Sequence, residues 1–356
     1  MPGPGSPVEL RELPLPELEE NAALLRVTCS EVCGTDVYLR EGRLAGVPYP
    51  IIPGHVSTGV LESIRGTITD IYGRPFHEGD RVTFLDVHKT CHQCWFCLVA
   101  KASTRCPHRK VYGITYGVGD GLCGGWSQYV YIKPGVRCIR LDGVSDELYM
   151  AGGCSLPTAL HAVERADVRF ADTVLVLGAG PVGLSTIAFS SLRGAAKVLC
   201  IGAPRIRLDI AEKMGGTVLD FTRHSIAERT DWVLTQTHGR GADVTIECTG
   251  VPEAVTQAMR FTRDAGAVVV VGQYTDHGET TLNPHLDLNK KHLEVRGCWG
   301  SDYSHFHRAV DMLQSPNAAL KWSSVPLRAV ELSQVNQAVD LVASGAVVKA
   351  LVRPNA

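Results

Sequence analysis

The sequence predicts an α/β protein in two parts: a barrel-like, largely antiparallel domain of short strands, and a doubly wound parallel sheet covered by helices. Three observations lead there. At 356 residues the chain is longer than one compact domain usually runs. Its first 150 residues are dense in Gly/Pro turn signals between short β-prone runs. From about residue 151, continuous apolar runs alternate with helix-like stretches, the pattern of a parallel sheet buried on both faces.

In the first part the turn signals are REGRLAGV, PYPIIPGH, YGRPFHEGDRV and YGVGDGLCGGW, and the strand-like runs AALLRVTC, VSTGVLESI, RVTFLDV and WSQYVYIK. In the second, TVLVLGAG, KVLCIG, DVTIECTG and GAVVVVGQ read as strands. PVGLSTIAFSSLRGA, RIRLDIAEKMGG and VPEAVTQAMRFTRDA read as the helices between them. After about residue 297 come a helical segment, HFHRAVDMLQS, then VPLRAVELSQVNQAVDLVASG and a strand-like VVKALVRP. Pattern alone does not assign that tail to either part.

Composition excludes several classes of function. Hydrophobic residues are 45% and charged residues 20%, an ordinary globular balance. A net charge of −2 gives no footprint for nucleic acid or an anionic membrane. The N-terminal MPGPGSPVELRELPLPELEE lacks a basic start and apolar core, and no run approaches a membrane span. Twelve cysteines then read as thiols or metal ligands in a cytoplasmic protein rather than as disulfides.

TVLVLGAGPVG runs an apolar strand into Gly178-x-Gly180-x-x-Gly183 and on into a helix. In that context the three glycines have separate tasks: Gly178 for the tight turn, Gly180 for close approach to a pyrophosphate, Gly183 for helix–strand packing. The helix N-terminus faces the phosphates. The next strand ends at Gly202, where an NAD site would carry an acid for the ribose, and Arg205 and Arg207 follow. An arginine there can pair with a 2′-phosphate, which leans the coenzyme to NADP; NAD bound without the acid is the other reading.

CHQCWFC places Cys91, Cys94 and Cys97 with two residues between each, and Cys106 follows after eight more. Four thiolates at this density fit a closed structural zinc or an iron–sulfur cluster. Such a site ties down a loop and leaves no position open for chemistry. Cys33 in VCGTD, His55 in IIPGH and Cys154 in AGGCSLPTALH are of the types that leave zinc a fourth, open position. Spacing alone does not unite them.

With VCGTD, PGH, EGDRV, the four-cysteine lobe, GCSLPTALHA, VLGAGPVG, DVTIECTG and GAVVVVG in that order, the chain resembles the zinc-containing alcohol dehydrogenases of the medium-chain dehydrogenase/reductase family. The resemblance covers nearly the whole chain. It implies a discontinuous GroES-like catalytic domain, residues 1–155 and 298–356, around a Rossmann coenzyme domain, residues 156–297. It implies two zincs per chain: a catalytic one on Cys33, His55 and Cys154, and a structural one on Cys91, Cys94, Cys97 and Cys106. Asp36 matches an acid that orients the metal-binding histidine, and Thr35 a hydroxyl that takes up the proton of the alcohol. The coenzyme set is the loop Gly178, Gly180, Pro181, Val182 and Gly183, then Gly202, Arg205 and Arg207, then Thr249, Val271 and Gly272. Thr158 matches a residue packed on the nicotinamide. The implied reaction is hydride transfer between an alcohol activated at zinc and the nicotinamide ring, in a homodimer or homotetramer.

Three departures stand out. The glutamate usual after PGH, behind the zinc, is Val56 here; a proton-relay histidine is replaced by Tyr38; and the lobe is one residue longer between its third and fourth cysteines. By alignment Tyr38, Val56, Asp86, Val87, Trp126 and Trp299 lie near the zinc mouth. Tyr38 and Asp86 suit a polyol, sugar- or cyclitol-like secondary alcohol, and a biosynthetic ketone or aldehyde is the next reading. Reduction of an activated C=C or C=N bond is the competing chemistry on this fold, and a non-catalytic dinucleotide-binding protein the competing class. The histidines of HLDLNKKHLEVRGCWGSDYSHFHR have no ligand spacing and read as solvated or capping.

Overall fold

The computed structural model describes all 356 residues, Met1–Ala356. Fifteen strands run through it. In the first stretch are β1 (Ala22–Val32), β2 (Ser57–Arg65), β3 (Arg81–Phe84), β4 (Val87–Lys89), β5 (Lys110–Val111), β6 (Tyr129–Ile132) and β7 (Cys138–Arg140). β8 (Thr173–Leu177), β9 (Lys197–Gly202), β10 (Gly216–Asp220), β11 (Ala242–Glu247), β12 (Thr262–Val270) and β13 (Glu294–Gly297) follow. β14 (Leu327–Glu331) and β15 (Lys349–Arg353) close the chain. Packing divides these into two units. One holds Met1–Cys154, Asp302–Gln314 and Pro326–Ala356, the other Ser155–Ser301 and Ser315–Val325.

The first unit is built on a seven-stranded sheet in the order β14-β15-β1-β2-β3-β7, with β6 also paired to β1. Apart from the parallel β14–β15 pair, every ladder in it is antiparallel. β1 is buried along almost its whole length because it has partners on both edges and cover on both faces. Leu25, Val27, Leu61, Val82, Phe84, Tyr112, Val130 and Ile132 form the core that this sheet curls around. β1 pairs with β15 through Ser30↔Val352, Glu31↔Leu351 and Val32↔Ala350, which brings the chain's last strand beside its first.

The second unit is a six-stranded, all-parallel sheet in the order β10-β9-β8-β11-β12-β13. Numbered within the unit, that is 3-2-1-4-5-6, so the order reverses on either side of β8 and leaves a crevice at the carboxyl ends of β8 and β11. TVLVL and KVLCIG are buried almost throughout, as strands covered on both faces must be. β12 already begins at Thr262, ahead of the apolar GAVVVVG run. Ser315–Val325, which the resemblance would run with the first part of the chain, packs in this unit. The physical reason is Trp322: fully buried, it sets its ring 5.0 Å from that of Phe189 and donates from Nε1 to Ser185 Oγ at 3.2 Å.

Candidate functional site

Three turns in the first unit converge on one buried pocket. Cys33 follows β1 and caps the helix Gly34–Arg40, and its N–H donates to Asp36 Oδ2 at 2.9 Å. The first turn of that helix therefore carries the acid inward. His55 follows Gly54, where φ is +89° and an added Cβ would stand 2.6 Å from the Trp126 ring. Only glycine lets the chain lie that close. Cys154 follows the helix Asp146–Gly152 and Gly153, whose φ is +53° and whose added Cβ would meet the Glu31 carboxylate at 2.2 Å.

The Sγ atoms of Cys33 and Cys154 and a ring nitrogen of His55 lie within 4.8 Å of one another, and Cys33 Sγ to His55 Nε2 is 3.8 Å. Tetrahedral zinc with bonds of about 2.0–2.3 Å needs ligand atoms roughly 3.5–3.8 Å apart, so the set fits. Sulfur and imidazole are the donors that zinc favours. On the far side of the ring, His55 Nδ1 faces Asp36 Oδ1 across 4.0 Å; both atoms are buried and neither has a hydrogen-bond partner. At that distance the carboxylate is a charge neighbour of the ring, without a hydrogen bond between them.

The charges of the pocket interlock. Cys33 is held well below the usual thiol range, first by the hydrogen bond from Cys154, against burial, and then by His55. Cys154 is pushed up by that same bond to Cys33 and by burial. Burial disfavours the His55 cation, but the Cys33 thiolate more than offsets this and carries the ring up to about 10. Asp36 is raised by burial and by the Cys33 charge. The pocket thus favours negative charge on the Cys33 sulfur over the Cys154 sulfur.

Around it, Thr35 and Tyr38 are half-buried on the Gly34–Arg40 helix, and burial raises the Tyr38 phenol. Asp86 accepts the Val87 N–H at 2.9 Å, and its charge is felt at His55. Val56 is buried, and its carbonyl accepts the Glu31 N–H at 2.9 Å. Trp126 packs against Gly54, next to His55, and donates from Nε1 to Glu31 O at 3.0 Å. Trp299 lies in the other unit, stacked on Tyr274.

Sequence reasoning passed over Glu31 and Lys349. Both side chains are fully buried and form an ion pair. Glu31 Oε2 accepts the Cys154 N–H at 2.7 Å, and Oε1 lies 3.6 Å from Cys154 Sγ. Lys349 also donates to Gly152 O at 2.9 Å. Their signal was a charge set among uncharged residues in each of two strand-like runs, TCSEVC and VVKALV.

In the four-cysteine lobe, all Sγ atoms again lie within 4.8 Å: Cys94 to Cys97 is 3.5 Å, Cys91 to Cys106 3.6 Å and Cys94 to Cys106 4.0 Å. Four sulfurs are the donor set of a closed tetrahedral site, and no carboxylate or histidine belongs to the group. None of the chain's twelve cysteines is in a disulfide.

In the second unit, the glycine loop occupies the carboxyl end of β8. Gly178 has φ +103° and its added Cβ would stand 3.0 Å from Cys248 O; that of Gly183 would stand 2.0 Å from Gly178 O. Gly180 caps the helix Pro181–Leu192 with open space on its Cβ side, and half-buried Pro181 and Val182 begin that helix. Thr249, Val271 and Gly272 follow β11 and β12, tied by buried Glu247. Glu247 Oε1 accepts the Thr249 N–H and hydroxyl, and Oε2 accepts the Gly272 N–H at 3.2 Å. Thr158 is half-buried on the helix Ser155–Arg165. At the end of β9, an added Cβ on Gly202 would meet Ala179 Cβ at 2.7 Å. Arg205 pairs with Asp209 at 2.6 Å and Glu212 at 2.8 Å, and burial lowers Arg207.

Two protein-family models match the chain: alcohol dehydrogenase GroES-like domain over residues 19–142, and zinc-binding dehydrogenase over residues 181–315. The chain is 28% identical to 5-exo-hydroxycamphor dehydrogenase of Pseudomonas putida, covering 97% of this chain and 95% of that one. It is 28% identical to erythritol/L-threitol dehydrogenase of Mycolicibacterium smegmatis, with 94% and 91% covered. Among solved structures, an alcohol dehydrogenase from Thermotoga maritima superposes with a TM-score of 0.92 at 29% identity, over 99% of this chain and 97% of that one. No helix is long and apolar enough to cross a membrane.

Proposed function

Since the chain belongs to the zinc-type alcohol dehydrogenases of the medium-chain dehydrogenase/reductase family, we propose that Cys33, His55 and Cys154 are its catalytic metal ligands and that a secondary alcohol is its substrate. It is an enzyme, an NAD(P)-linked oxidoreductase that interconverts an alcohol and a carbonyl compound. The single observation behind the ligand assignment is the convergence of the three donor atoms within 4.8 Å around a buried carboxylate–histidine pair.

Zinc held there supplies Lewis acidity that favours the deprotonated alcohol, and bound nicotinamide supplies the hydride acceptor. The chain's own groups do the rest. Asp36 stands behind the His55 ring on its Nδ1 side and acts on it by charge, while Nε2 faces Cys33. Thr35, half-buried two residues after Cys33, is the hydroxyl we assign to receive the proton of the alcohol. Cys91, Cys94, Cys97 and Cys106 hold a second, structural zinc, giving two per chain. Gly178, Gly180 and Gly183 with the helix at Pro181 take the pyrophosphate, and Thr158, Thr249, Val271 and Gly272 complete the coenzyme site.

For the coenzyme we favour NADP. Gly202 leaves no room for the ribose-binding acid of NAD sites, and Arg207 lies on the helix that follows. For the substrate we favour a polyol-like secondary alcohol. Two relatives act, by name, on hydroxycamphor and on tetritols, and Tyr38 and Asp86 bring a phenol and a carboxylate beside the pocket. A homodimer or homotetramer in the cytoplasm fits the family and the free cysteines.

The test is the appearance of reduced nicotinamide when purified enzyme meets tetritols, pentitols, hexitols and terpenoid alcohols, each with NADP and with NAD. Turnover of at least one secondary alcohol, absent in Cys33→Ala and faster with NADP, is expected. Activity that survives Cys33→Ala would contradict the ligand assignment.

A further inference from the structure

Metal pockets built from distant segments need something to hold the segments together, and here a buried ion pair stands at the junction. Glu31 and Lys349 are 0% and 1% exposed. Charges so deep persist only when paired and hydrogen-bonded. The pair grips the turn Gly152–Cys154 at both ends: Lys349 Nζ donates to Gly152 O at 2.9 Å, and Glu31 Oε2 accepts the Cys154 N–H at 2.7 Å. Between them is Gly153, whose missing Cβ makes room for the carboxylate.

Glu31 also belongs to β1, whose last residue, Val32, leads directly into Cys33 at the N-cap of the next helix, so the carboxylate is anchored two residues before that thiol. The Cys33-bearing strand, the Cys154-bearing turn and β15 are thus joined through one carboxylate. Val56, next to His55, brings no acid of its own, while its carbonyl accepts the Glu31 N–H at 2.9 Å.

Resting on the reading of Cys33, His55 and Cys154 as zinc ligands, we propose that Glu31, with Lys349 as its buried counter-ion, is a positioning residue that locks Cys154 in place and sets how long this pocket keeps its metal. The four-cysteine lobe lies outside that clamp and serves as an internal control.

The experiment follows metal release from full-length, zinc-loaded enzyme into an excess of a metallochromic chelator. The parent should release two zincs in two phases, and loss of one phase in Cys94→Ala identifies the lobe. In Glu31→Gln the pocket phase should quicken by about 10–100-fold, the usual cost in metal affinity of removing such a partner, while the lobe phase keeps its rate. In the cobalt-substituted enzyme, the pocket's thiolate-to-cobalt absorption should shift in the same variant. Where Glu31→Gln fails to fold, because Lys349 is left buried and unpaired, Glu31→Gln/Lys349→Met removes both charges and is expected to show the same selective quickening. Two zincs leaving a folded variant at parental rates would overturn the proposal while leaving the ligand reading intact. Equal quickening of both phases with a lowered Tm would also overturn it, since that marks general loosening. A parent that carries the lobe zinc alone would overturn the ligand reading itself, and this proposal with it.

Discussion

His55 Nδ1 and Asp36 Oδ1 face each other across 4.0 Å in the buried pocket, each without a hydrogen-bond partner, while Asp36 spends its other oxygen on the Cys33 N–H. One buried carboxylate thus adjoins two of the three residues we assign to the metal, bonded to one and facing the other. Asp36→Asn keeps an oxygen for the Cys33 N–H but takes the charge from behind the histidine. Turnover or zinc affinity should fall by about 10–100-fold, with the fold retained. Measuring kcat and zinc content on the same preparation checks this; parental values for both would show that the acid is idle.

Gly183 sits where any side chain would strike the Gly178 carbonyl, 2.0 Å from its added Cβ. Gly183→Ala should push the helix away from the loop, at about 1–3 kcal/mol in stability. Coenzyme affinity should weaken at least about tenfold, on the tenfold-per-1.4 kcal/mol scale. Coenzyme titration by fluorescence reads this directly, and unchanged affinity would remove the loop from the phosphate site.

Coenzyme choice yields a sharper expectation. The usual route from NADP to NAD restores an acid at the end of the second strand, but Gly202→Asp here would drive a Cβ to within 2.7 Å of Ala179 Cβ. It should lower Tm and weaken both coenzymes rather than exchange them. Arg205→Ala should matter little to the NADP/NAD ratio of kcat/KM, because Asp209 and Glu212 already engage that guanidinium. A clean switch to NAD in Gly202→Asp would disprove this account of the position.

His88 makes stability depend on pH. Burial lowers its pKa, against the bond to the Pro134 carbonyl, with Lys133 and Lys89 adding to the lowering. The unfolded chain takes up a proton near pH ~6.5 and the folded one resists it, so stability rises with pH there. That contribution is fully present above about pH 6.5 and is lost as pH falls through the lowered folded value. In His88→Gln, Tm should decline less steeply than in the parent between about pH 7 and pH 5. Parallel curves would show that His88 is not responsible.

Local features of the fold and site were legible because local chemistry dictates them. The glycine loop follows from what a strand–turn–helix must do to approach phosphate, and the lobe from four thiols in sixteen residues, Cys91–Cys106. The open pocket was not legible from spacing, since β1, the Gly54 turn and the Gly153 turn bring Cys33, His55 and Cys154 together only through tertiary packing; family resemblance alone named the set. Glu31 and Lys349 escaped notice because a charge within a strand does not name a partner 318 residues away. Ser315–Val325 escaped for a similar reason, its place being decided by Trp322 against Phe189. Arg205 was legible and underweighted: Asp209 lies four residues on along the same helix, an ordinary intrahelical ion pair.

The most direct test of the central claim is zinc per chain by mass spectrometry, on the parent beside Cys33→Ala and Cys94→Ala. Two zincs in the parent and one in the Cys33 variant, with the lobe zinc retained and turnover abolished, is the expected result. One zinc in the parent, lost only with Cys94, would mean that CHQCWFC holds the sole metal and that the pocket of Cys33, His55 and Cys154 is not a metal centre.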